Sequence, residues 1–424
     1  MLEGQEGKRI QIEEVFEASN MSAAWMKVKA NQGGAGVDGM GMEETQEHLK
    51  RNWEKIQEKL IAGQYKPAAV KLVEIPKANG GQRALGIPNI QDRLIQQAIH
   101  QILSPLWEAE FSEYSYGFRP HRSQHDAVKK AQEYVESGKG WVVDIDLKNF
   151  FDEVNQDRLM RQIAEKVRDK RLLRLIGDCL RSPLKTSKGE MIRRNKGTTQ
   201  GSPLSPFLAN IYLDPLDKEL EKRGLAFVRY ADDIAIFVSS ERSAERVMES
   251  IIEWIEQVLK LPVNREKSKS GPSDESGLLG FRIYTDGRVG VNPKAVKRLK
   301  ETVKEIWDSR QNLTSEQLRD RWREYIQGWW NYFKMATWKR EVENQSGWIR
   351  RKMRQCFWKR WSTPQGRANA LLKLGVKGRA VGNAYSRKGS WAMAKHWVTH
   401  QALSNKTLER YGFIIPWSTV GIQK

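Results

Sequence analysis

The sequence predicts an α+β fold, with an antiparallel sheet in its first two-thirds and helices in its last third. Three observations carry this. Short alternating or continuous apolar runs separated by turn signals lie between residues 71 and 238, windows of helical spacing fill the stretch past Gly280, and the two regions differ in charge. Of the net +20, nearly all belongs to residues 291–424, which hold 28 basic and 9 acidic side chains and 11 of the 16 tryptophans. That stretch has enough apolar material to pack, so it reads as a folded basic region with a polyanionic partner rather than a solvated tail. Cys179 and Cys356 are too few for a disulfide framework or a thiolate zinc site and fit a reducing, cytoplasmic setting. No window approaches the ~18 apolar residues of a membrane span, and the charged N-terminus is unlike a signal peptide.

In order along the chain, residues 11–30 and 43–62 carry apolar residues at helical spacing, separated by the glycine-rich loop Asn31–Gly39. Lys71–Lys77 alternates as a strand, and Asn79-Gly-Gly81 signals a turn into a second strand, which makes a hairpin. Residues 91–108 are helical, with Pro105 as an expected kink. Gly140–Leu147 reads as a buried strand, 207–222 as a helix, and Ala226–Tyr230 with Ile234–Val238 as a hairpin with acids at its tip. Helices follow at 241–260, 294–310, 315–334 and 344–361, Pro364 marks a boundary, and the final 60 residues have no clear period.

The sharpest chemical signal is Tyr230-Ala-Asp-Asp233, because adjacent acids at a turn close to a core repel each other and lose solvation unless a cation compensates. Asp144 and Asp146 form a second acidic group, both on one face of a strand by its period of two. Hard oxygen donors suit Mg²⁺, and two such ions ~3.5–4 Å apart serve phosphoryl transfer.

These residues and their order resemble the reverse transcriptases encoded by bacterial group II introns. The markers run in sequence through Asn31–Gly39, Ile75-Pro-Lys77 to Arg83, Tyr116-Gly-Phe-Arg-Pro120, Asp144–Asp152, Gly197–Pro206, Tyr230–Asp233, Asn264–Lys269 and Leu279-Gly-Phe281. Gly328-Trp-Trp-Asn-Tyr-Phe333 is similar to the maturase thumb, and the tail to a DNA-binding segment. The resemblance implies a right-hand polymerase: an N-terminal extension and start of the fingers at 1–70, fingers and palm at 71–290, an α-helical thumb at 291–361 and a small basic domain at 362–424. It further implies Asp146, Asp232 and Asp233 as catalytic acids, holding two Mg²⁺ ions together with the backbone carbonyl of Leu147, and Asp144 as a supporting residue. The dNTP would meet Lys77, Arg83, Phe151, Gln200 and Lys267 (or the neighbouring Lys269), with Phe151 excluding a 2′-hydroxyl. Thr199 and Ser202 depart from the family's usual Pro and Gly, and Gln156 from a frequent His.

The basic third interleaves cations with aromatics, as in Trp348-Ile-Arg-Arg-Lys-Met-Arg-Gln-Cys-Phe-Trp358, where aromatics suit a helical core and cations an outer face. Arg119, Arg350, Arg351, Lys352 and Arg354 are the residues expected on nucleic acid. His396 and His400 lack the cysteines and carboxylates of a zinc site. The implied partners are a group II intron RNA, an RNA template with DNA primer, target DNA and dNTPs, with no membrane. The implied function is RNA-directed DNA synthesis plus maturase activity in splicing and retrohoming. No paired-Cys His-Asn-His segment follows the tail, as in endonuclease-lacking, class C-like members. The rival readings are a host reverse transcriptase for DNA repair and an RNA-binding splicing factor with an idle polymerase.

Overall fold

The computed structural model describes residues 10–76, 82–337 and 339–418, and the chain divides into two compact units, Met1–Pro272 and Ser273–Lys424. In the first unit, helices Ile12–Val15, Ala18–Ala30 and Met42–Ile61 lead to strands β1 (Val70–Pro76) and β2 (Gln82–Ile87). With β3 (Trp141–Asp146) in the second sheet, short β4 (Leu184–Lys185) and β5 (Met191–Ile192) complete a first sheet of order β2-β1-β4-β5. β1 and β2 pair antiparallel, with Ile75 opposite Arg83, whereas β1 and β4 run parallel.

The second sheet positions the site. Its strands β6 (Ala226–Tyr230), β7 (Asp233–Val238) and β8 (Lys269–Pro272) join β3 in the antiparallel order β6-β7-β3-β8. β3 is central and its residues Val142, Val143 and Ile145 are all buried, so both faces are covered; this is why the segment reads as a continuous apolar run broken only by Asp144 and Asp146. The covering helices include Ile90–Glu108, Ser205–Lys222 and Glu241–Trp254, and one core joins Ile95, Ile99, Val143, Ile145, Tyr212, Phe227, Ile236 and Ile251. Helix Ile90–Glu108 runs through Pro105 and ends only at Glu108.

Helices Gln124–Glu136, Gln156–Lys166 and Lys170–Arg181 have no counterpart in the periodicity reading, yet each has a start signal. Ser123 accepts from the Asp126 backbone N–H in a reciprocal capping box, while Asn155 and Asp169 cap the other two.

The second unit opens with the hairpin of β9 (Phe281–Ile283) and β10 (Val289–Val291), a stretch that the sequence groups with residues 71–290. Here it packs on the helices that follow: the Tyr332 hydroxyl donates to the Leu279 carbonyl at 2.7 Å, and Phe281 stacks on Tyr332 and Phe333. Helices Pro293–Ile306, Ser315–Phe333 and Gln345–Arg360 enclose a core of Leu299, Val303, Trp307, Trp322, Met353 and Phe357. A smaller cluster of Trp358, Leu371, Met393 and Val398 organises the short helices beyond Pro364, which is the first residue of helix Pro364–Lys373.

Candidate active site

The acids meet through backbone register. β3 and β7 pair so that Asp146 lies opposite Asp233, and β6 and β7 pair Tyr230 with Asp233, leaving Ala231 and Asp232 as the two-residue tip. Ala231 has φ of +56°, a left-handed conformation that a tight hairpin tip demands and a residue with a Cβ resists. Gly117 makes the tip accessible to the preceding loop, because a Cβ there would sit 2.3 Å from the Ala231 nitrogen. Asp144 sits two residues before Asp146, opposite Ala235 on one side and Lys269 on the other.

The Asp146 main chain is fixed by the segment before β8. Its N–H donates to the Ser268 hydroxyl at 3.0 Å, and its carbonyl accepts from the Asn264 N–H at 2.8 Å. The latter bond and that from the Lys148 N–H to the Pro262 carbonyl flank the Leu147–Val263 bridge. Leu147 is thus the non-hydrogen-bonded member of an antiparallel pair, and its own carbonyl points away from Val263, toward the β7 side.

Asp233 keeps solvent access, yet the surrounding protein desolvates it and the carboxylates of Asp232, Asp146 and Asp144 repel its charge, which together push its pKa up to about 6. Among the described residues no three acidic, His or Cys side chains are gathered closely enough to hold a metal ion by themselves.

Phe150 and Phe151 follow Asn149, which is left-handed at φ +49°, and divide into two roles: Phe150 is buried against Tyr212, while Phe151 is only half-buried. The loop 197–200 lies directly on this turn. The Thr198 N–H donates to the Phe151 carbonyl at 2.6 Å and the Gly197 N–H to the Val154 carbonyl at 2.7 Å. Gln156 is buried and donates to the carbonyls of Gly197 and Leu180, which ties the loop to a helix end.

Thr199 and Ser202 are built in as well. The Thr199 hydroxyl accepts from the Arg194 guanidinium at 2.6 Å, and the Ser202 hydroxyl donates to the Gln96 side-chain Oε1 at 2.6 Å. Gln200 is half-buried, its backbone carbonyl accepting from the Gly86 N–H at 2.8 Å, which ties the loop to β2. The cleft between loop and hairpin is lined by Leu72, Ala84, Asp152, Arg194, Thr198 and Gln200.

Of the expected cations at this site, Lys77 lies outside the described residues, Arg83 occupies β2, and Lys267 is exposed in the turn after Asn264. Three of the five residues expected on nucleic acid require correction. Arg119 is buried, ion-paired to Glu108 at 2.7 Å, and donates to the carbonyls of Ser112 and Ser115. Arg350 donates to Glu409 and the Ser418 carbonyl, and Arg354 to the Leu403 carbonyl and Asn405, burial pushing the latter's pKa down to about 10. These guanidiniums are buried and spend their donors on internal hydrogen bonds. Arg351 and Lys352 retain partial exposure, the Lys352 ammonium lying 5.0 Å from the Trp391 ring centre.

Residues 75–283 match the reverse transcriptase (RNA-dependent DNA polymerase) family, and residues 296–375 match the group II intron maturase-specific domain. Protein YkfC of Escherichia coli (strain K12) is 30% identical over 287 residues, covering 58% of this chain and 75% of YkfC. The chain belongs to the group II intron reverse transcriptase family.

The group II intron-encoded protein LtrA of Lactococcus lactis subsp. cremoris is 38% identical over 176 residues, 41% of this chain and 29% of LtrA. The chain therefore spans three quarters of YkfC but less than a third of LtrA. A telomerase from Candida albicans, solved with a fragment of telomeric RNA, aligns at a TM-score of 0.44 and 15% identity over 83% of this chain and 70% of that one.

Reverse transcriptases typically use divalent metal ions, and the donor set here fits them. Asp146, Asp232, Asp233 and the Leu147 carbonyl are hard oxygens of the kind a dication takes, and Asp233, desolvated and beside other carboxylates, has its charged form disfavoured in a way a dication would relieve. Sequence reasoning overlooked the residues beneath the tip. Arg229 is fully buried, and the signal was a lone cation inside the apolar run Ala226-Phe-Val-Arg-Tyr230.

Proposed function

We propose that this chain is an RNA-directed DNA polymerase that copies RNA from a DNA primer and also acts as the maturase of a group II intron RNA, in the cytoplasm. The pairing of Asp146 opposite Asp233, beside Asp232 at the hairpin tip, carries this reading. Two Mg²⁺ ions held by Asp146, Asp232, Asp233 and the Leu147 carbonyl would activate the primer 3′-hydroxyl and stabilise the leaving pyrophosphate. The protein's own part is placement. Phe151 projects from a turn braced by the 197–200 loop, where its ring would lie against the incoming sugar and exclude a 2′-hydroxyl. Lys77, Arg83 and Lys267 would take the triphosphate charge and Gln200 the nucleotide or template, while Arg351 and Lys352 would contact RNA or target DNA.

Primer extension on an RNA template with Mg²⁺ and dNTPs tests the polymerase reading. Full-length cDNA from the parent, abolished by Asp232→Asn with Asp233→Asn while RNA binding persists, is the expected result; no extension by folded, RNA-binding parent protein would sink it. For the maturase role, the protein should accelerate splicing of its cognate intron RNA at low Mg²⁺, and equal rates with and without protein would remove that half of the proposal.

A further inference from the structure

We infer that Arg229, Asp217 and Asn210 form a buried clamp that fixes the Ala231–Asp232 peptide and thereby orients Asp232. The enzymatic consequence rests on the polymerase reading above; the structural one does not. Arg229 and Asp217 are fully buried and Asn210 is 1% exposed. The guanidinium Nε donates to Asp217 Oδ1 at 2.7 Å and Nη2 to Asp217 Oδ2 at 2.5 Å. Nη1 divides its donors between Asn210 Oδ1 at 3.0 Å and the Ala231 carbonyl at 2.9 Å. Asn210 passes the restraint on, its Nδ2 donating to the Gly117 carbonyl at 2.8 Å.

The sequence makes this possible by spacing. Asn210 and Asp217 are seven residues apart on helix Ser205–Lys222, two turns along one face, so a single arginine reaches both. The Arg229 main chain is held too, its N–H donating to the Tyr114 carbonyl and its carbonyl accepting from the Tyr116 N–H. Gly117, clamped through Asn210, is the residue that abuts the Ala231 nitrogen.

A brace between helix and strand would need only the carboxylate, and a buried ion pair is often no more stabilising than an apolar pair of similar volume. The guanidinium instead spends a donor on the carbonyl of the one tip residue forced into the left-handed region. That carbonyl belongs to the peptide plane whose nitrogen is that of Asp232, so the clamp sets the direction from which the Asp232 side chain departs. Arg229, Asp217 and Asn210 are positioning residues: they act on the metal-binding acids without touching substrate.

The test replaces the pair by apolar residues, Arg229→Met with Asp217→Leu, in the full chain. Three readouts are compared with the parent: the thermal unfolding midpoint, the affinity for Mn²⁺ alone by electron paramagnetic resonance, and kcat and KM for dNTP in primer extension. The expected result is a retained midpoint, with Mn²⁺ affinity and kcat each falling on the order of 10–100-fold while KM for dNTP is unchanged. A folded double variant with parental Mn²⁺ affinity and kcat would overturn the clamp. If that variant does not fold, Asn210→Ser decides, since it leaves the ion pair but cuts the links to Asn210 and Gly117; a smaller loss in the same sense is expected, and parental values overturn the inference. If the parent binds Mn²⁺ but extends no primer, the polymerase reading fails and the Mn²⁺ arm still decides the clamp.

Discussion

Asp233 is poised against its own ionisation. Its pKa stands above the ordinary carboxylate range in the folded chain, so the native state holds a proton that the unfolded state releases, between about pH 4 and 6. The penalty is absent below pH 4 and complete above pH 6. Asp233→Asn should therefore stabilise the metal-free protein at pH 7–8, by about 1 kcal/mol or less because solvent screens the carboxylate. That gain should vanish as the pH falls through 6 toward 4, as thermal melts in EDTA across this range would show. An unchanged melting difference across the range would mean that neither burial nor the neighbouring carboxylates disfavour the Asp233 charge. A dication reverses the sign of the effect, since Asp233 must be ionised to bind it, and Mn²⁺ affinity should weaken as the pH drops through 6. Phe151 offers the complementary residue-scale test. It is the half-exposed member of the Phe150–Phe151 pair, so Phe151→Val should fold normally while raising ribonucleotide incorporation on the order of ten-fold or more in single-nucleotide extension. Unchanged sugar discrimination would remove the gate assignment.

At the scale of elements, the loop 197–202 ties the second sheet's neighbourhood to the first sheet, through Gly197 and Thr198 on the Phe151 turn and Gln200 on β2. Gly197 is left-handed at φ +83°, and a Cβ on it would lie 2.9 Å from the carbonyl oxygens of both Phe151 and Asp152. Gly197→Ala should cost about 1–3 kcal/mol of stability, read by chemical denaturation, and should slow primer extension beyond what the stability loss explains, because the loop can relieve the clash only by releasing Phe151. Denaturation parameters equal to the parent's would show that the loop shifts freely. This is also where sequence legibility divides. The strands of the site were readable because apolar runs and acids coincide in Val142–Leu147 and Ala226–Val238, but register was not: β7 begins at Asp233 rather than Ile234, and the turn fixes only the β6–β7 pairing, not that of Asp146 with Asp233. Helices Gln156–Lys166 and Lys170–Arg181 were legible too, since Leu159 and Ile163 in the first and Leu172, Leu175, Ile176, Cys179 and Leu180 in the second keep helical spacing behind the Asn155 and Asp169 caps, but their shortness and many charges hide the stripe from a reading of runs. Arg350 and Arg354 misled for a different reason. They sit on a basic helix, but their acceptors at Leu403, Asn405, Glu409 and Ser418 lie some fifty to seventy residues later, and no local pattern encodes that closure.

Across the whole molecule, the charge partition of the sequence acquires a physical site once the internally bonded arginines are set aside. Helix Pro293–Ile306 buries Val296, Leu299, Val303 and Ile306 and turns Lys294, Lys297, Arg298 and Lys304 outward. An amphipathic helix of this kind holds its apolar stripe in the core and leaves a row of cations to the solvent. Such a row attracts a polyanion by displacing condensed counterions, so its contribution scales with the number of phosphates neutralised and not with base sequence. Replacing these four cations by Gln should leave the thermal midpoint near the parent's, since exposed charges without close pairing contribute little to stability. RNA affinity should nevertheless fall, and the slope of log K against log salt should flatten by up to about 3, the amount expected if all four meet phosphates. Filter binding at several salt concentrations measures both. A slope equal to the parent's would place the phosphate contacts elsewhere on the basic unit, with Arg351 and Lys352 the next pair to replace. Because the acids of the first unit are untouched by these substitutions, kcat at saturating template and dNTP should stay at the parent value. A fall in kcat would show instead that this helix positions the primer end as well as binding its backbone.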